Sequence, residues 1–452
     1  MRAPRALVSG GVRDVIGSFL ESIFSTAPHC ATFWHKLHFA GGFAIGAAWL
    51  AWTAGVARAG PDRRGGAVES VYLDQAATSP LRPEALEAFV AASGLVGNAS
   101  SLHRPGQRAR RRLEEAREEL AAAVGAHPTE VVFTSGGSEA DTIAVLGGWE
   151  AGRSRGRGRC LVSAVEHPAV LGAVSRGAEV VPVSREGVVS LGALEETLDE
   201  AVAVVSVMWV NNETGVVQPV PAVGELASAV GAWMHTDAVQ AFGHLPLDFG
   251  ASEVDLMSVS AHKIGGPVGV GALLARRSVV PAAVGLGGGQ EREVRSGTQP
   301  VALAAAFARA ASVAVGELGA EVSRVSGLRD RVVEACVAAG GRLNSWPRPT
   351  SAGVPSGPLP EGAPHIVNVT FDGVRADDLL FLLDQRGIAA SVGSACRAGV
   401  HQPSEVLLAM GRSADEATQS LRFSLGWTTT SSDISRLVAV LPEALSVARS
   451  AF

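Results

Sequence analysis

Lysine is almost missing from this chain of 452 residues: among 38 basic side chains only Lys36 and Lys263 are lysines, and the rest are arginines. A chain that draws its surface charge from arginine has little need of lysine for solubility. Arginine stays protonated and cannot form an imine, whereas lysine can lose its proton and do so. Lys263, the single lysine beyond the N-terminal region, is therefore a candidate for chemistry; the plainer alternative is a leftover surface lysine. Cysteine is also scarce. Cys30, Cys160, Cys336 and Cys396 are far apart and show no CxxC spacing, which argues against a disulfide framework or a zinc site and fits reduced thiols in a cytosolic setting. Charged residues make up only 18% and the net charge is −6, so the basic excess of a nucleic-acid-binding chain is missing. What is present in quantity, 47% hydrophobic residues and 53 glycines, suits a compact α/β protein with glycine-rich turns and enough apolar surface for two domains.

Residues 1–68 read unlike the remainder. The stretch 39–57 (FAGGFAIGAAWLAWTAGVA) carries no charge and is flanked by Lys36 and His38 on one side and Arg58, Arg63 and Arg64 on the other. It has the length of a membrane anchor, and Ala57-Arg58-Ala59 resembles a small-x-small export cleavage site. It is also weakly apolar and lacks a clear charged leader, so the favoured reading is upstream sequence translated from a misplaced start. The protein is then expected in the cytoplasm and off the membrane; a retained segment would tether it.

From Val71 onward the pattern is regular. Arg/Glu-rich 102–124, with Leu113 and Leu120 at helical spacing, predicts an amphipathic, salt-bridged helix. Short apolar runs at 131–133, 160–165, 232–235 and 254–259 predict strands, and the unbroken run 201–210 (AVAVVSVMWV) predicts a strand buried on both faces of a parallel sheet. A helix over 223–230 alternates with them, which gives an α/β body with a mostly parallel sheet. Arg153 to Arg159 reads as a solvated loop and 346–364, rich in Pro, Gly and Ser, as a surface loop in a second, C-terminal domain. Cys160 and Cys336 lie in apolar runs and read as core.

Ligands of open parallel sheets bind beyond the carboxyl ends of the strands. Separate strands deliver His167, Asn212, Asp237 and Lys263 to that edge, and Gly137-Ser138 precedes a helix predicted from Glu139 to Leu146. This set matches the needs of pyridoxal phosphate: a lysine for the aldehyde, a carboxylate for the pyridine nitrogen, backbone N–H groups and hydroxyls for the phosphate, and an imidazole over the ring. Taken singly, each feature also reads as an ordinary cap or turn.

Ten ordered segments carry a resemblance: YLDQAATSP (72–80), GNASSLH (97–103), FTSGGSEA (133–140), EHPAVL (166–171), VNNETGVVQPV (210–220), HTDAVQAFG (235–243), VDLMSVSAHKIGGPVGVGAL (254–273), RSGT (295–298), GSAC (393–396) and LRFSLG (421–426). Over Val71 to about Leu441 the chain resembles the cysteine desulfurases of the class V aminotransferase superfamily. That resemblance implies fold type I of the pyridoxal-phosphate enzymes, with a large cofactor-binding domain (82–320) and a smaller α+β domain (71–81 and 321–452) that carries a mobile cysteine loop.

Residue by residue, the resemblance implies that Lys263 holds the cofactor as a Schiff base and Asp237 pairs with its pyridinium. Gln240 would bond the phenolic oxygen, and His167 would stack on the ring and shuttle protons. Gly137, Ser138, Ser260 and His262 would hold the phosphate, and Thr298 would reach the phosphate in the neighbouring subunit of a homodimer. Asn212 and Arg422 would grip the carboxylate of L-cysteine. Cys396, in a Gly/Ser/Ala-rich stretch beside Arg397, would take the sulfur as a persulfide and leave alanine. Its loop resembles the long-loop group that feeds iron–sulfur scaffolds, so the implied acceptors are a scaffold or carrier protein or a tRNA-thiolating enzyme; transient ligation of an iron–sulfur cluster by Cys396 is left open by the sequence. A selenocysteine lyase or another class V enzyme is the alternative. Ser138, Ala99, Gln75 and Ala261 stand where the family usually has Thr, Pro, Asn and Gly; none removes a group that the chemistry requires.

Overall fold

The unbroken apolar run after Ala201 becomes a central strand of a seven-stranded sheet. The structure is a computed structural model that describes residues 70–344, 362–393 and 402–450. Cys396, the 39–57 stretch and nearly all of the 346–364 stretch lie outside the described residues. The strands are β1 (Val71–Tyr72), β2 (Val131–Thr134), β3 (Arg159–Ser163), β4 (Glu179–Val181), β5 (Val202–Ser206), β6 (Trp233–Asp237), β7 (Leu256–Ser260), β8 (Gly271–Ala275), β9 (Arg342–Leu343), β10 (Ile366–Thr370), β11 (Ile388–Ala389) and β12 (Ser420–Ser424). The large sheet has the order β2-β8-β7-β6-β5-β3-β4. From β4 to β7 the strands run parallel, while β8 is antiparallel to both of its neighbours. Every residue of β5, β7 and β8 is buried, as expected for strands with helices on both faces.

The helix Arg104–Val124 covers one face. Ala109, Leu113, Ala116, Leu120 and Val124 recur every three or four residues and are buried, which places the glutamates and most of the arginines outside, with Arg117 the buried exception. Its last turn stops at Gly125, whose φ of +70° is the left-handed conformation that glycine adopts at least cost. The apolar helix Val301–Gly316 packs against it. A separate apolar cluster, which includes Val71, Leu73, Val369, Phe371, Leu379, Phe423, Leu437 and Leu441, surrounds the antiparallel sheet β12-β10-β9 and the parallel pair β1-β11. Among the described residues no single helix is long and apolar enough to cross a membrane.

Several boundaries differ from the sequence reading. The 201–210 run is a strand only to Ser206, although Val207 and Trp209 still donate their backbone N–H groups to the carbonyls of His235 and Asp237 at the end of β6. The helix expected from Glu139 starts at Gly137 and passes through one wide π turn (Ile143–Gly147) before continuing to Arg153. The basic stretch Arg153–Arg159 is not simply a solvated loop. Arg157 donates to the carbonyls of Val202 and Val230, Arg155 lies 3.9 Å above the Trp233 ring, and Arg159 belongs to β3 and pairs with Glu179 and Asp199. Cys160 and Cys336 are fully buried free thiols whose pKa values burial pushes up to about 12, so they are inert core residues.

One buried ion pair pins an otherwise costly turn. Glu291, Arg292 and Glu293 have φ values of 41°, 60° and 62°, a left-handed run that costs side-chain-bearing residues roughly 1–2 kcal/mol each. Both oxygens of Glu291 accept from Arg117 at 2.8 Å, and they also accept from the Phe133 N–H and from Gln299. Burial opposes the Glu291 charge, but Arg117 holds its pKa below the ordinary carboxylate value. A group with a lowered folded pKa adds stability above its ordinary pKa, and this is lost as pH falls through the folded value. Glu291→Gln leaves the Arg117 charge with only the half-exposed Glu114 carboxylate and the Val131 carbonyl, a loss of about 2–3 kcal/mol, below the roughly 3–5 kcal/mol of a fully unpaired buried charge. The melting temperature should fall clearly at pH 7 and by less in acid; an unchanged melt would contradict the role of this pair.

Candidate active site

Beyond the carboxyl ends of β5, β6 and β7 lies a cavity of about 400 Å³. Asp237 is the last residue of β6, and Ser260 the last of β7, with His262 and Lys263 on the 3₁₀ turn that follows. His167 follows β3 and Asn212 follows β5. All of these, together with Gln240, Gly137, Ser138 and Arg422 from β12, line the cavity. Thr298 does not: it is exposed, and its neighbour Gln299 lines a second cavity of about 510 Å³ with Ser100, Arg110 and Arg117.

Lys263 has little access to water. Its Nζ donates to the carbonyl oxygens of Ala76 and Ala77 at 2.7 and 2.9 Å. Burial first, and then the positive charge of Arg422, push its pKa from 10.5 down to about 8, against the opposing pull of Asp237 and Asp74. The amine is therefore close to half neutral near pH 8, which is what an imine-forming nucleophile needs.

Asp237 is 5% exposed, and its Oδ1 accepts from the Val239 N–H at 2.8 Å. Burial raises its pKa, while His167 and Lys263 oppose that shift. His167 caps the short helix Pro168–Leu171: its Nδ1 accepts from the Ala169 N–H at 3.1 Å. That bond leaves Nε2 as the nitrogen that bears the proton in the neutral ring. Burial lowers the His167 pKa, with Asp237 pulling the other way. Burial also brings His262 down to about 4, and its Nδ1 lies 3.3 Å from Thr78 Oγ1.

Arg422 is fixed from two sides. One Nη donates to the Asn212 carbonyl and the other to Asp74 Oδ1, both at 2.7 Å, and Nε is buried without a partner. Gly137 has no room for a side chain, because a Cβ there would lie 2.8 Å from Val239 Cγ2. Ser260 Oγ beside it is buried and also partnerless.

Sequence reasoning missed further lining residues. Asp141 is one helical turn beyond Gly137-Ser138, a spacing that could have revealed it. Its Oδ1 is buried without a hydrogen bond, 3.7 Å from His235 Nε2. His235 in turn bonds Ser206 and Ser258 at 2.8 and 3.0 Å, and burial brings its pKa down to about 3. Burial and then Asp237 push the Asp141 pKa well up, and burial does the same to Glu166, whose Oε1 accepts from the Met208 N–H. Glu213 lines the cavity and accepts from Ser404 Oγ at 2.5 Å.

An arrangement of this kind, with a low-pKa lysine and a buried carboxylate at the edge of a mostly parallel sheet, belongs to enzymes that work through an aromatic aldehyde cofactor. The aminotransferase class-V family matches residues 71–437. An IscS-like cysteine desulfurase of Mycobacterium tuberculosis is 48% identical over 393 residues, which are 84% of this chain and 97% of that protein. Among solved structures, a NifS-like protein matches with a TM-score of 0.75 at 33% identity, over 84% of this chain and 100% of its own. A structure titled SspA in complex with cysteine matches with a TM-score of 0.66 at 30% identity, over 79% and 99%. The chain belongs to the class-V aminotransferases of pyridoxal-phosphate fold type I, and within them to the IscS/NifS-like cysteine desulfurases.

The depressed Lys263 pKa can be read directly in the cofactor-free protein. Acylation of Lys263 across pH, followed by mass spectrometry, should show a midpoint near pH 8. A midpoint at the ordinary lysine value would contradict the burial and charge effects described.

Proposed function

We propose that this chain converts L-cysteine to L-alanine and takes the sulfur as a persulfide on Cys396, and that it does so with pyridoxal phosphate. The observation that carries this reading is the convergence of Lys263, Asp237, Gln240 and Arg422 on one cavity. The cavity fits the cofactor on its own terms. Ser260 Oγ and the helix start at Gly137 offer unused donors for a phosphate, with Ser138 and His262 beside them. Asp237 supplies a carboxylate for the pyridine nitrogen, Gln240 a donor for the phenolic oxygen, and His167 an imidazole beside both. Bound there, pyridoxal phosphate supplies an electron-withdrawing ring for the substrate's Cα.

The chain's own groups then have distinct tasks. Arg422, already braced by Asp74 and the Asn212 carbonyl, presents Nε and its remaining N–H groups to the substrate carboxylate. Lys263 Nζ takes the proton from Cα, and its low pKa leaves it neutral often enough to do so near pH 8. His167 Nε2 holds a proton for return to carbon. The Cys396 thiolate attacks the substrate sulfur: the S–S bond forms, the Cβ–S bond breaks, and its electron pair stays on carbon and is protonated. L-cysteine and one thiol thus become L-alanine and one persulfide. Gly393, the last described residue before Cys396 in the chain, lines the cavity.

The persulfide would pass to an iron–sulfur scaffold, a sulfur carrier or a tRNA-thiolating enzyme. A homodimer belongs to the same proposal, supported by the exposed apolar side chains Val90, Val96, Leu102, Val268 and Leu286 and by the position of Thr298 away from its own cavity. A cytoplasmic setting is part of it too, supported by the free thiols Cys160 and Cys336.

The test uses the full chain with pyridoxal phosphate, L-cysteine and a reductant, with alanine and sulfide measured together. The two products should form in equal amounts. Cys396→Ala should lose both while still binding the cofactor, and Lys263→Ala should lose both along with the visible absorbance of the bound cofactor. Sulfide release by Cys396→Ala at the wild-type rate would refute its role.

A further inference from the structure

Behind Gln240 the structure buries a pair of histidines that the proposed reaction does not use. His365 is 1% exposed and stacks on His244, with ring centroids 3.9 Å apart and an angle of 16° between planes. Neither residue lines the cavity. His365 Nδ1 is buried with no hydrogen-bond partner. An unsatisfied buried nitrogen is destabilising, and phenylalanine would fill the same space without that penalty. What histidine adds is a single polar contact, from Nε2 to Gln240 Oε1 at 3.3 Å.

The direction of that contact follows from a carbonyl group. The Ala76 oxygen can only accept, so the Gln240 atom 2.8 Å from it is the amide nitrogen. Oε1 therefore faces His365, and the imidazole must carry its proton on Nε2. The same logic fixes His244, whose Nε2 faces the acceptor-only carbonyl of Lys263 at 3.3 Å. Burial, the neighbouring His244 and the charges of Arg422 and Lys263 hold the His365 pKa well below 6.5, and burial brings His244 down to about 4. Both rings stay neutral at working pH, so the direction of the bond does not change. With one Gln240 N–H on Ala76 and Oε1 on His365, the second N–H is left for the cavity. Lys263 Nζ donates to the same Ala76 oxygen, which sets the two groups side by side.

We propose that His365 is a positioning residue: backed by His244, it locks the Gln240 carboxamide so that its free N–H points into the cavity as a fixed donor to the phenolic oxygen of the cofactor. This rests on the pyridoxal-phosphate reading above. Without the His365 donor, only the bond to the Ala76 carbonyl holds the carboxamide; it is free to turn about that bond, and the cavity loses its fixed donor.

The test is equilibrium binding of pyridoxal phosphate to the full chain, with a pH titration of the visible band, in a double-mutant cycle. His365→Phe keeps a ring on His244 and removes the donor. Its affinity should fall roughly tenfold, the equivalent of one hydrogen bond to a charged oxygen. The midpoint of the visible band should rise, because that donor favours the anionic oxygen. His365→Gln, which returns an N–H near the same point, should restore both. In a Gln240→Leu background, His365→Phe should cause no further loss. Wild-type affinity and midpoint in His365→Phe would overturn the proposal. So would an equal loss in the Gln240→Leu background, which would mark the histidine as packing alone. A wild-type chain that binds no pyridoxal phosphate would overturn the cofactor reading and this inference with it, an outcome distinct from failure of the cycle.

Discussion

The carbonyl oxygen of Ala76 accepts from Lys263 Nζ and from Gln240 Nε2, and the functional edge of the protein is organised around that shared contact. The segment that supplies it, Asp74 to Ser79, is fixed at both ends. Ser424 Oγ of β12 accepts from the Ala76 N–H, and the Ser79 N–H donates to the His262 carbonyl. Asp74, in the same segment, braces Arg422. A few residues in and just after β1 thus tie the small antiparallel sheet to the turn that carries the lysine. The groups that must meet a substrate are set by backbone bonds, not by long side chains searching for partners, and this is the kind of preorganisation that reduces the cost of orienting reactants.

Burial does the electrostatic work. Arg422, Asp237, Asp141 and Glu166 are buried in and behind the cavity, and Lys263 is half-buried among them. In such a medium like charges cannot all persist, so the lysine pKa falls and those of the carboxylates rise. The shifts are therefore consequences of where the parallel strands end. The same strands hold the His235 ring between the hydroxyls of Ser206 and Ser258, and this polar line runs through the sheet to Asp141.

The parts of the fold that could be read from sequence were those with a simple period. The all-buried strand β5 and the helix Arg104–Val124 announce themselves, because an unbroken apolar run and a three-to-four spacing each have one good structural solution. The edge delivering His167, Asn212, Asp237 and Lys263 was legible for the same reason: each follows a strand that could be seen. Less legible were features fixed by distant contacts. The π turn at Ile143–Gly147 leaves no local signature, and an apolar run that continues to Val210 does not mark the end of β5 at Ser206. Asp141 and Glu213 look like surface residues of a helix and a turn until the sheet closes over them. His365 sits 121 residues beyond His244, and only the fold stacks the two rings. The family resemblance pointed to most of the residues that line the cavity; why each holds its proton where it does is a matter of packing.

The most direct test of the account is to expose the full chain to pyridoxal phosphate, reduce it with borohydride and map the modified peptide by mass spectrometry. The account requires the cofactor's mass on Lys263 and on no other lysine. A label confined to Lys36, or no label at all, would contradict it.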